Sequence, residues 1–345
     1  MPEGYATVQL QEKQAQDKST IETFGGWLAV GGALVSILGA IPFAILASSS
    51  GLDLSRPERF RADPASALLI LASLLVVGIG LLPFVVGLGM YVLAQSSSPA
   101  RARRSYGSHR SIIAALIFAI VVTNLLASPI IMFVPLGGGD AGPSVGAIPA
   151  PMLAAALVIQ DLVLVGVVYL RVVRPKVITW NDMGLTADKL VGKIGAGVVG
   201  AIAILAVTII LQTLLQRLGL PEVQQDQLRP FVEGGVVGAV LLVLVTVFLA
   251  PIAEEIFFRG YVFRAYSGQK GLLNAFLVSA VLFAVLHVNP QAPFFGAQII
   301  FPVTVMGLIL ATIVHRTGSV VSTIVAHAIN NAVATAALLG WLGEV

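Results

Sequence analysis

The sequence predicts an all-α fold, a polytopic membrane helical bundle with eight or nine transmembrane helices. Hydrophobic residues make up 57% of the 345 residues and charged residues only 11%, whereas a soluble domain carries about 25% charged residues. The mean hydropathy is +0.95. One or two globular domains of this length could not bury so much apolar surface. The chain is therefore expected to cross a lipid bilayer several times.

A helix needs about 20 apolar residues to cross a bilayer, and several segments of the chain approach that length. The polar residues before the first segment predict a loose N-terminal tail, and the length of the first segment argues against a signal peptide. The seventh segment is short and is broken by Asn289-Pro290, so eight or nine helices are expected. The candidates are residues 24–47, 66–94, 111–136, 149–172, 191–216, 235–263, 272–289, 297–314 and 319–340.

The distribution of Lys and Arg predicts the orientation of the chain, because cytoplasmic loops are enriched in these residues. With nine spans and a cytoplasmic N-terminus, fifteen of the twenty Lys and Arg residues lie on the cytoplasmic side. The basic stretch Arg101–Arg110 is interpreted as a topology anchor. The Cys-free, Ala-, Gly- and Val-rich composition favours a bacterial inner membrane, and we expect a multi-pass plasma-membrane protein.

Composition divides the chain into four segments. Residues 1–23 are predicted to be a polar cytoplasmic tail, and residues 24–173 an N-terminal four-helix transmembrane region. Residues 174–190 form the predicted cytoplasmic connector, and residues 191–345 a C-terminal transmembrane region that contains the chemistry-bearing motifs.

Composition also excludes several kinds of chemistry. The chain has no cysteine, so disulfides, thiolate metal sites and a cysteine nucleophile are excluded. The formal net charge is only +3, and it gives no reason to expect nucleic acid as a partner. The expected surroundings are the lipid bilayer.

Ionisable residues inside a span are costly, so each is a candidate for function. Asp161 lies in the middle of the fourth candidate span with no cationic residue nearby in sequence, and we interpret it as a carboxylate hydrogen-bonded inside the bundle. The sixth span contains Glu254-Glu255 and Arg259. Residues four apart share a helix face, so Arg259 can neutralise Glu255 and leave Glu254 free as a general base. The alternative is a buried structural ion pair.

Two further clusters lie on the following spans. Ser279, Phe283 and His287 share one helical face, and His327 and Asn331 share another. An Asn beside a His can orient the ring or donate a hydrogen bond to a developing oxyanion. The alternatives are a histidine satisfied within the core and interhelical hydrogen bonding.

The spacing places these clusters at a common height. Glu254 and His287 are equidistant from the turn at residues 267–271, so an antiparallel hairpin brings them level. His327 is about nine residues into the last span, or roughly 14 Å at the helical rise, and can reach the same layer. One carboxylate, two imidazoles and an amide in a water-accessible pocket indicate a hydrolytic site.

The three motifs EExxxR, FxxxH and HxxxN, in this order, closely resemble the CPBP family of intramembrane proteases. That family includes the CAAX prenyl endopeptidases, the Abi proteins and the bacteriocin self-immunity proteins. The resemblance covers roughly residues 235–339, about a third of the chain, and every motif position matches. The segment from Trp180 to Gly184-Leu185 also looks like the one that often precedes this core.

The resemblance implies an intramembrane endopeptidase that acts on membrane-associated or lipidated polypeptides. It implies that Glu254 activates water, that His287 helps to hold that water, and that His327 and Asn331 stabilise the oxyanion. Glu255 and Arg259 resemble the supporting pair. Glu254, His287 and His327 could alternatively be the His₂Glu ligands of a catalytic zinc, but the chain has no HExxH. Both mechanisms stay open, and we favour the metal-free one.

Other classes fit the sequence less well. Residues 137–140 imitate the GxGD of aspartyl intramembrane proteases but lie in a Gly/Pro-rich loop with no Tyr-Asp partner, and there is no phosphate-binding GxxxxGK. Two alternatives remain beside the protease. One is a non-catalytic membrane scaffold or bacteriocin-immunity protein with the same fold, and the other is a proton-coupled permease that uses Asp161 and the histidines.

Overall fold

The computed structural model describes residues 3–49, 64–132, 148–219, 228–287 and 296–340. All regular secondary structure in these ranges is helical. We number the helices in chain order, and α5 continues as a π-helical turn, Tyr169–Val173. They are α1 Glu3–Ser49, α2 Pro64–Gln95, α3 Pro99–Ser105, α4 His109–Met132, α5 Ala150–Val168, α6 Leu190–Arg217, α7 Arg229–Glu233, α8 Gly235–Gln269, α9 Leu272–Val285, α10 Gly296–Thr317 and α11 Val320–Leu338.

The chain is a multi-pass membrane protein. In the described ranges, eight helices are long and apolar enough to cross a membrane, namely α1, α2, α4, α5, α6, α8, α10 and α11. Helix α9 has only 14 residues, or about 21 Å, which is less than the roughly 30 Å hydrocarbon core of a bilayer. The predicted all-α bundle with eight or nine spans is confirmed, while the predicted break at Asn289-Pro290 lies outside the described residues.

The N-terminal polar residues differ from the loose tail that we expected. Helix α1 begins at Glu3 and continues without interruption into the first span. The physical reason is local, because residues 5–24 contain no Gly or Pro and are rich in Gln, Glu, Lys and Ala, which favour helix. The division into four segments at residues 23, 173 and 190 stays a prediction.

The described residues form two compact units. The first contains residues 3–49, 64–105 and 113–121, and the second contains residues 106–112, 122–132, 148–219, 228–287 and 296–340. Helix α4 contributes residues to both units.

Glycines allow α1 and α2 of the first unit to pack at very short range. A Cβ atom on Gly25 would lie 2.8 Å from the carbonyl oxygen of Gly87, and one on Gly32 would lie 2.5 Å from that of Gly80. The residue numbers of each pair add to the same total, as antiparallel packing requires. The hydroxyl of Ser36 donates to the carbonyl of Val77 at 3.1 Å in the same interface. Such close helix contact is typical of small residues in membranes.

We expect Gly32→Leu to destabilise the first unit, because its side chain would collide with the α2 backbone. The overpacking should lower the free energy of unfolding by about 1–3 kcal/mol. Gly31→Leu is the matched control, since a Cβ at Gly31 meets nothing within 4 Å. The measurement is denaturation of both variants in detergent micelles. Equal stability of the two variants would contradict the proposed packing.

In the second unit, α5, α9, α10 and α11 all pack against α8. The chain from Ala253 to Phe263 is buried without a break. A helix that is buried on every side in this way must satisfy its polar groups from its neighbours. Helix α8 is therefore the central helix against which these four helices pack.

The connector between α5 and α6 fixes the start of α11. Met183 is fully buried, and its carbonyl accepts a hydrogen bond from the Val320 amide at 3.0 Å. The hydroxyl of Ser319 donates to the carbonyl of Gly184 at 2.8 Å, and Arg264 of α8 donates to the carbonyl of Gly318 at 2.8 Å. These contacts hold the first turn of α11 against α8.

Candidate active site

The two adjacent carboxylates of α8 lie between two π-helical segments, Val243–Leu249 and Ile256–Phe263. Wide turns of this kind often occur at functional sites. The first has a local cause. The Ala250 amide donates to the carbonyl of Val245, five residues earlier, and the next residue, Pro251, has no N–H to continue the pattern. The carbonyl of Thr246 is thereby left without its backbone partner.

Asn331 of α11 supplies that missing partner. Its side-chain Nδ2 donates to the carbonyl oxygen of Thr246 at 2.8 Å. Asn330 in turn donates from Nδ2 to Oδ1 of Asn331 at 3.3 Å. The amide predicted as an oxyanion donor therefore gives one of its two hydrogens to the α8 backbone and is held in a fixed orientation.

Glu255 and Arg259 form the predicted ion pair one helical turn apart. Nη1 of Arg259 lies 2.9 Å from Oε1 of Glu255, and both side chains are 0% exposed. Nη2 of Arg259 donates to the carbonyl of Gly307 on α10 at 3.1 Å. Charged hydrogen bonds of this geometry are the strong ones. Arg259 therefore connects α10 to α8 as well as neutralising Glu255.

The same carboxylate orients His327. Nδ1 of His327 lies 3.0 Å from Oε1 of Glu255. We assign the ring hydrogen to Nδ1 because Glu255, paired with Arg259, acts as an acceptor. In the neutral ring, the lone pair on Nε2 of His327 then points away from Glu255. Nε2 lies 3.8 Å from Oε2 of Glu254.

His287 approaches Glu254 from α9. Its Nδ1 donates to the carbonyl of Phe283 at 2.9 Å, and its Nε2 lies 3.9 Å from Oε2 of Glu254. This distance agrees with the common height that the hairpin spacing predicted. Oε2 of Glu254 has no hydrogen-bond partner among the described residues. Distances of 3.8 and 3.9 Å are too long for direct hydrogen bonds and are short enough for one water molecule to bridge.

Access to the site differs between the two histidines. The side chain of His287 is 33% exposed, whereas that of His327 is 3% exposed and that of Glu254 10%. The cluster is therefore closed on the α11 side and open on the α9 side.

Phe283 forms the apolar wall of the cluster. Its ring centroid lies 4.7 Å from that of His287 and 5.6 Å from that of His327. The guanidinium carbon of Arg259 lies 4.4 Å from the Phe283 centroid, in cation–π geometry. Ser279, predicted on the same face, donates instead to the carbonyl of Phe258 at 3.1 Å. Ser279 therefore joins α9 to α8 and does not contact the carboxylates.

The alternative zinc site has the right donor types but not the right placement. Both histidines donate Nδ1–H to an oxygen, as zinc ligands commonly do. Within the part of the chain that the structure describes, however, no group of three or more His, Asp or Glu residues is arranged to hold a metal ion. We therefore derive no step through a metal.

Asp161 lies on α5 and is buried, with 6% of its surface exposed. Its carboxyl group is close enough to that of Glu254 for the two to interact electrostatically. The sequence predicts a carboxylate hydrogen-bonded inside the bundle; Asp161 is buried, but its Oδ2 has no hydrogen-bond partner among the described residues. No sequence signal connects Asp161 with Glu254. The GxGD-like motif at residues 137–140 lies outside the described residues.

We expect Arg259→Leu to destabilise the protein strongly, because it leaves the Glu255 carboxylate buried without its cation. The free energy of unfolding should fall by about 3–5 kcal/mol. Arg229→Leu breaks another i,i+4 pair, Arg229–Glu233, whose side chains are 67% and 50% exposed, and it should cost less than about 1 kcal/mol. Chemical denaturation in detergent measures both. Similar losses would show that burial of the Arg259 pair has little effect.

The C-terminal part of the chain is similar to a known protein family. Residues 236–333 match the family model described as type II CAAX prenyl endopeptidase, Rce1-like. The matched stretch contains all seven residues of the three predicted motifs and ends before the last turn of α11, and Asp161 lies outside it. Comparisons with curated proteins and with solved structures found no match.

Proposed function

We propose that this chain, which carries an Rce1-like type II CAAX prenyl endopeptidase domain over residues 236–333, is an intramembrane endopeptidase. The observation that carries the proposal is the position of Oε2 of Glu254, 3.9 Å from Nε2 of His287 and 3.8 Å from Nε2 of His327. A buried carboxylate oxygen this close to two imidazole nitrogens can share a bridging water molecule with them, and it is suited to activate that water.

In the proposed reaction, Glu254 takes a proton from a water molecule held between the carboxylate and the two imidazoles. The resulting hydroxide attacks the carbonyl carbon of the scissile peptide bond, and the carbonyl oxygen becomes an oxyanion. The second amide hydrogen of Asn331 is the proposed donor to this oxyanion. When the C–N bond breaks, Glu254 returns its proton to the leaving amine, and the carboxylate is regenerated.

Glu255 and Arg259 have a positioning role in this proposal. The Glu255 carboxylate holds the His327 ring by Nδ1 at 3.0 Å, so Nε2 faces the proposed water. Arg259 neutralises Glu255 at 2.9 Å, which leaves Glu254 as the carboxylate not committed to an ion pair. The two neighbouring acids thus have different tasks because they have different partners.

The proposed substrates are membrane-associated polypeptides, cleaved near a hydrophobic or lipidated end. The cluster lies within helices long enough to span a bilayer, and its open side is at His287. A substrate anchored in the lipid can reach such a site laterally. The matched family name supports prenylated CAAX sequences as the first substrates to examine.

Glu254→Gln tests the proposal, because it removes the general base and keeps the shape of the side chain. We expect hydrolysis to fall by about 10²–10⁴-fold. The measurement compares the membrane peptidomes of cells that express the wild type or the variant at matched levels. Glu233→Gln, at an exposed glutamate, is the control and should retain activity.

New polypeptide termini that appear with the wild type and with Glu233→Gln, but not with Glu254→Gln, would establish proteolysis and identify substrates. Identical peptidomes from abundant, folded proteins would refute the proposal. The chain would then be a non-catalytic membrane scaffold of the same fold.

We also propose that the protein lies in the plasma membrane with its N-terminus in the cytoplasm. This orientation places fifteen of the twenty Lys and Arg residues on the cytoplasmic side, where such residues are enriched. The chain has no cysteine, so single cysteines can be placed without background. In intact cells, a membrane-impermeant maleimide should label Gln216→Cys and not Lys270→Cys. The reverse pattern would contradict the orientation.

A further inference from the structure

The position of Asp161 on α5 is determined by contacts on either side of it. Toward the start of α5, Ala154 belongs to a buried cluster with Leu242 and Val245 of α8. At the other end, Arg171 in the π-helical turn is close enough to Tyr261 of α8 for the two side chains to interact electrostatically. Helices α5 and α8 are therefore parallel neighbours over this length.

Asp161 and Glu254 both lie between these two contacts. Asp161 falls between Ala154 and Arg171 on α5, just as Glu254 falls between Val245 and Tyr261 on α8. Asp161 also belongs to the buried stripe of α5, together with Ala150, Ala154, Leu164, Val167 and Val168. Because Asp161 lies on the buried face of α5 and at the same height as Glu254, it faces the carboxylates of α8. Its electrostatic interaction with Glu254 agrees with this placement.

Both carboxyl groups have an oxygen that no protein group satisfies. Oδ2 of Asp161 and Oε2 of Glu254 are buried and lack a hydrogen-bond partner among the described residues. A buried acceptor without a donor costs about 1–3 kcal/mol, and more if it is charged. The nearby Arg259 does not donate to either oxygen, because Nη1 donates to Glu255, Nη2 donates to Gly307, and Nε has no hydrogen-bond partner among the described residues. A water molecule has two hydrogens and can satisfy both acceptors.

We propose that Asp161 is a positioning residue of the hydrolytic site, which holds the Glu254 carboxylate toward His287 and His327 through a shared water molecule. The inference rests on the proposed function and extends it, since Asp161 lies outside the family domain of residues 236–333. The N-terminal half of the chain then contributes directly to the geometry of the catalytic carboxylate.

Kinetics of the full-length protein in detergent test this role. The probe is an internally quenched peptide with a farnesylated C-terminal CAAX sequence. Asp161→Leu removes both acceptors at similar volume and should lower kcat by about 10–100-fold, with KM unchanged, because the general base is misplaced and substrate binding is not affected. Asp161→Asn keeps one carbonyl acceptor and should recover part of that loss.

Leu164→Ala is the matched control, because Leu164 is buried on the same stripe and carries no polar group. It should lower stability and leave kcat of the folded protein unchanged. An unchanged kcat in Asp161→Leu, or a raised KM with an unchanged kcat, would overturn the inference. So would an equal loss of kcat in Leu164→Ala.

An infrared measurement separates this inference from the proposed function, because it does not require turnover. The carboxyl band of Glu254 is the one that disappears in Glu254→Gln. Asp161→Leu should shift that band, since the hydrogen bonding of Glu254 changes, and Leu164→Ala should leave it in place. A band that does not move in Asp161→Leu refutes the inference even if the wild type cleaves the peptide. If the band moves and no variant of the chain cleaves any polypeptide, the proposed function alone fails.

Discussion

The arrangement of the second unit depends on one buried guanidinium. Arg259 pairs with Glu255 on its own helix, donates to the carbonyl of Gly307 on α10, and lies over the ring of Phe283 on α9. Through Glu255 it also determines the orientation of His327 on α11. Four helices therefore meet at a single charge. Because that charge is buried, each of these contacts is needed to offset its lost hydration.

The cluster also explains how two neighbouring acids differ. Glu255 is committed to Arg259 and His327, whereas Oε2 of Glu254 faces His287 and His327 at distances that no direct hydrogen bond spans. A helix separates adjacent residues by about 100° in direction, so the two carboxylates face different neighbours. One acid is therefore committed to an ion pair, while the other keeps an oxygen without a hydrogen-bond partner among the described residues.

Irregular backbone is part of the same arrangement. The π-helical segment before the carboxylates leaves the Thr246 carbonyl exposed to a neighbouring helix, and Asn331 takes that position. In a membrane interior, such a carbonyl needs a protein partner, since bulk water is absent. The amide of Asn331 consequently bonds the backbone of α8 within the same cluster. Helix α11 is therefore held by contacts of its first turn, of His327 and of Asn331.

The sequence by itself determined the fold class, the eight or nine spans, the three motifs and the common height of Glu254 and His287. Each of these follows from helix length, hydrophobicity and the 3.6-residue period, which are local properties of the chain. Only the tertiary structure decided that Glu255 also holds His327, that Asn331 is bound to the Thr246 carbonyl, and that Asp161 is close enough to Glu254 to interact with it electrostatically. These interactions join residues on different helices, more than seventy positions apart. Their formation depends on how the helices pack against each other, and no periodicity within one segment encodes that.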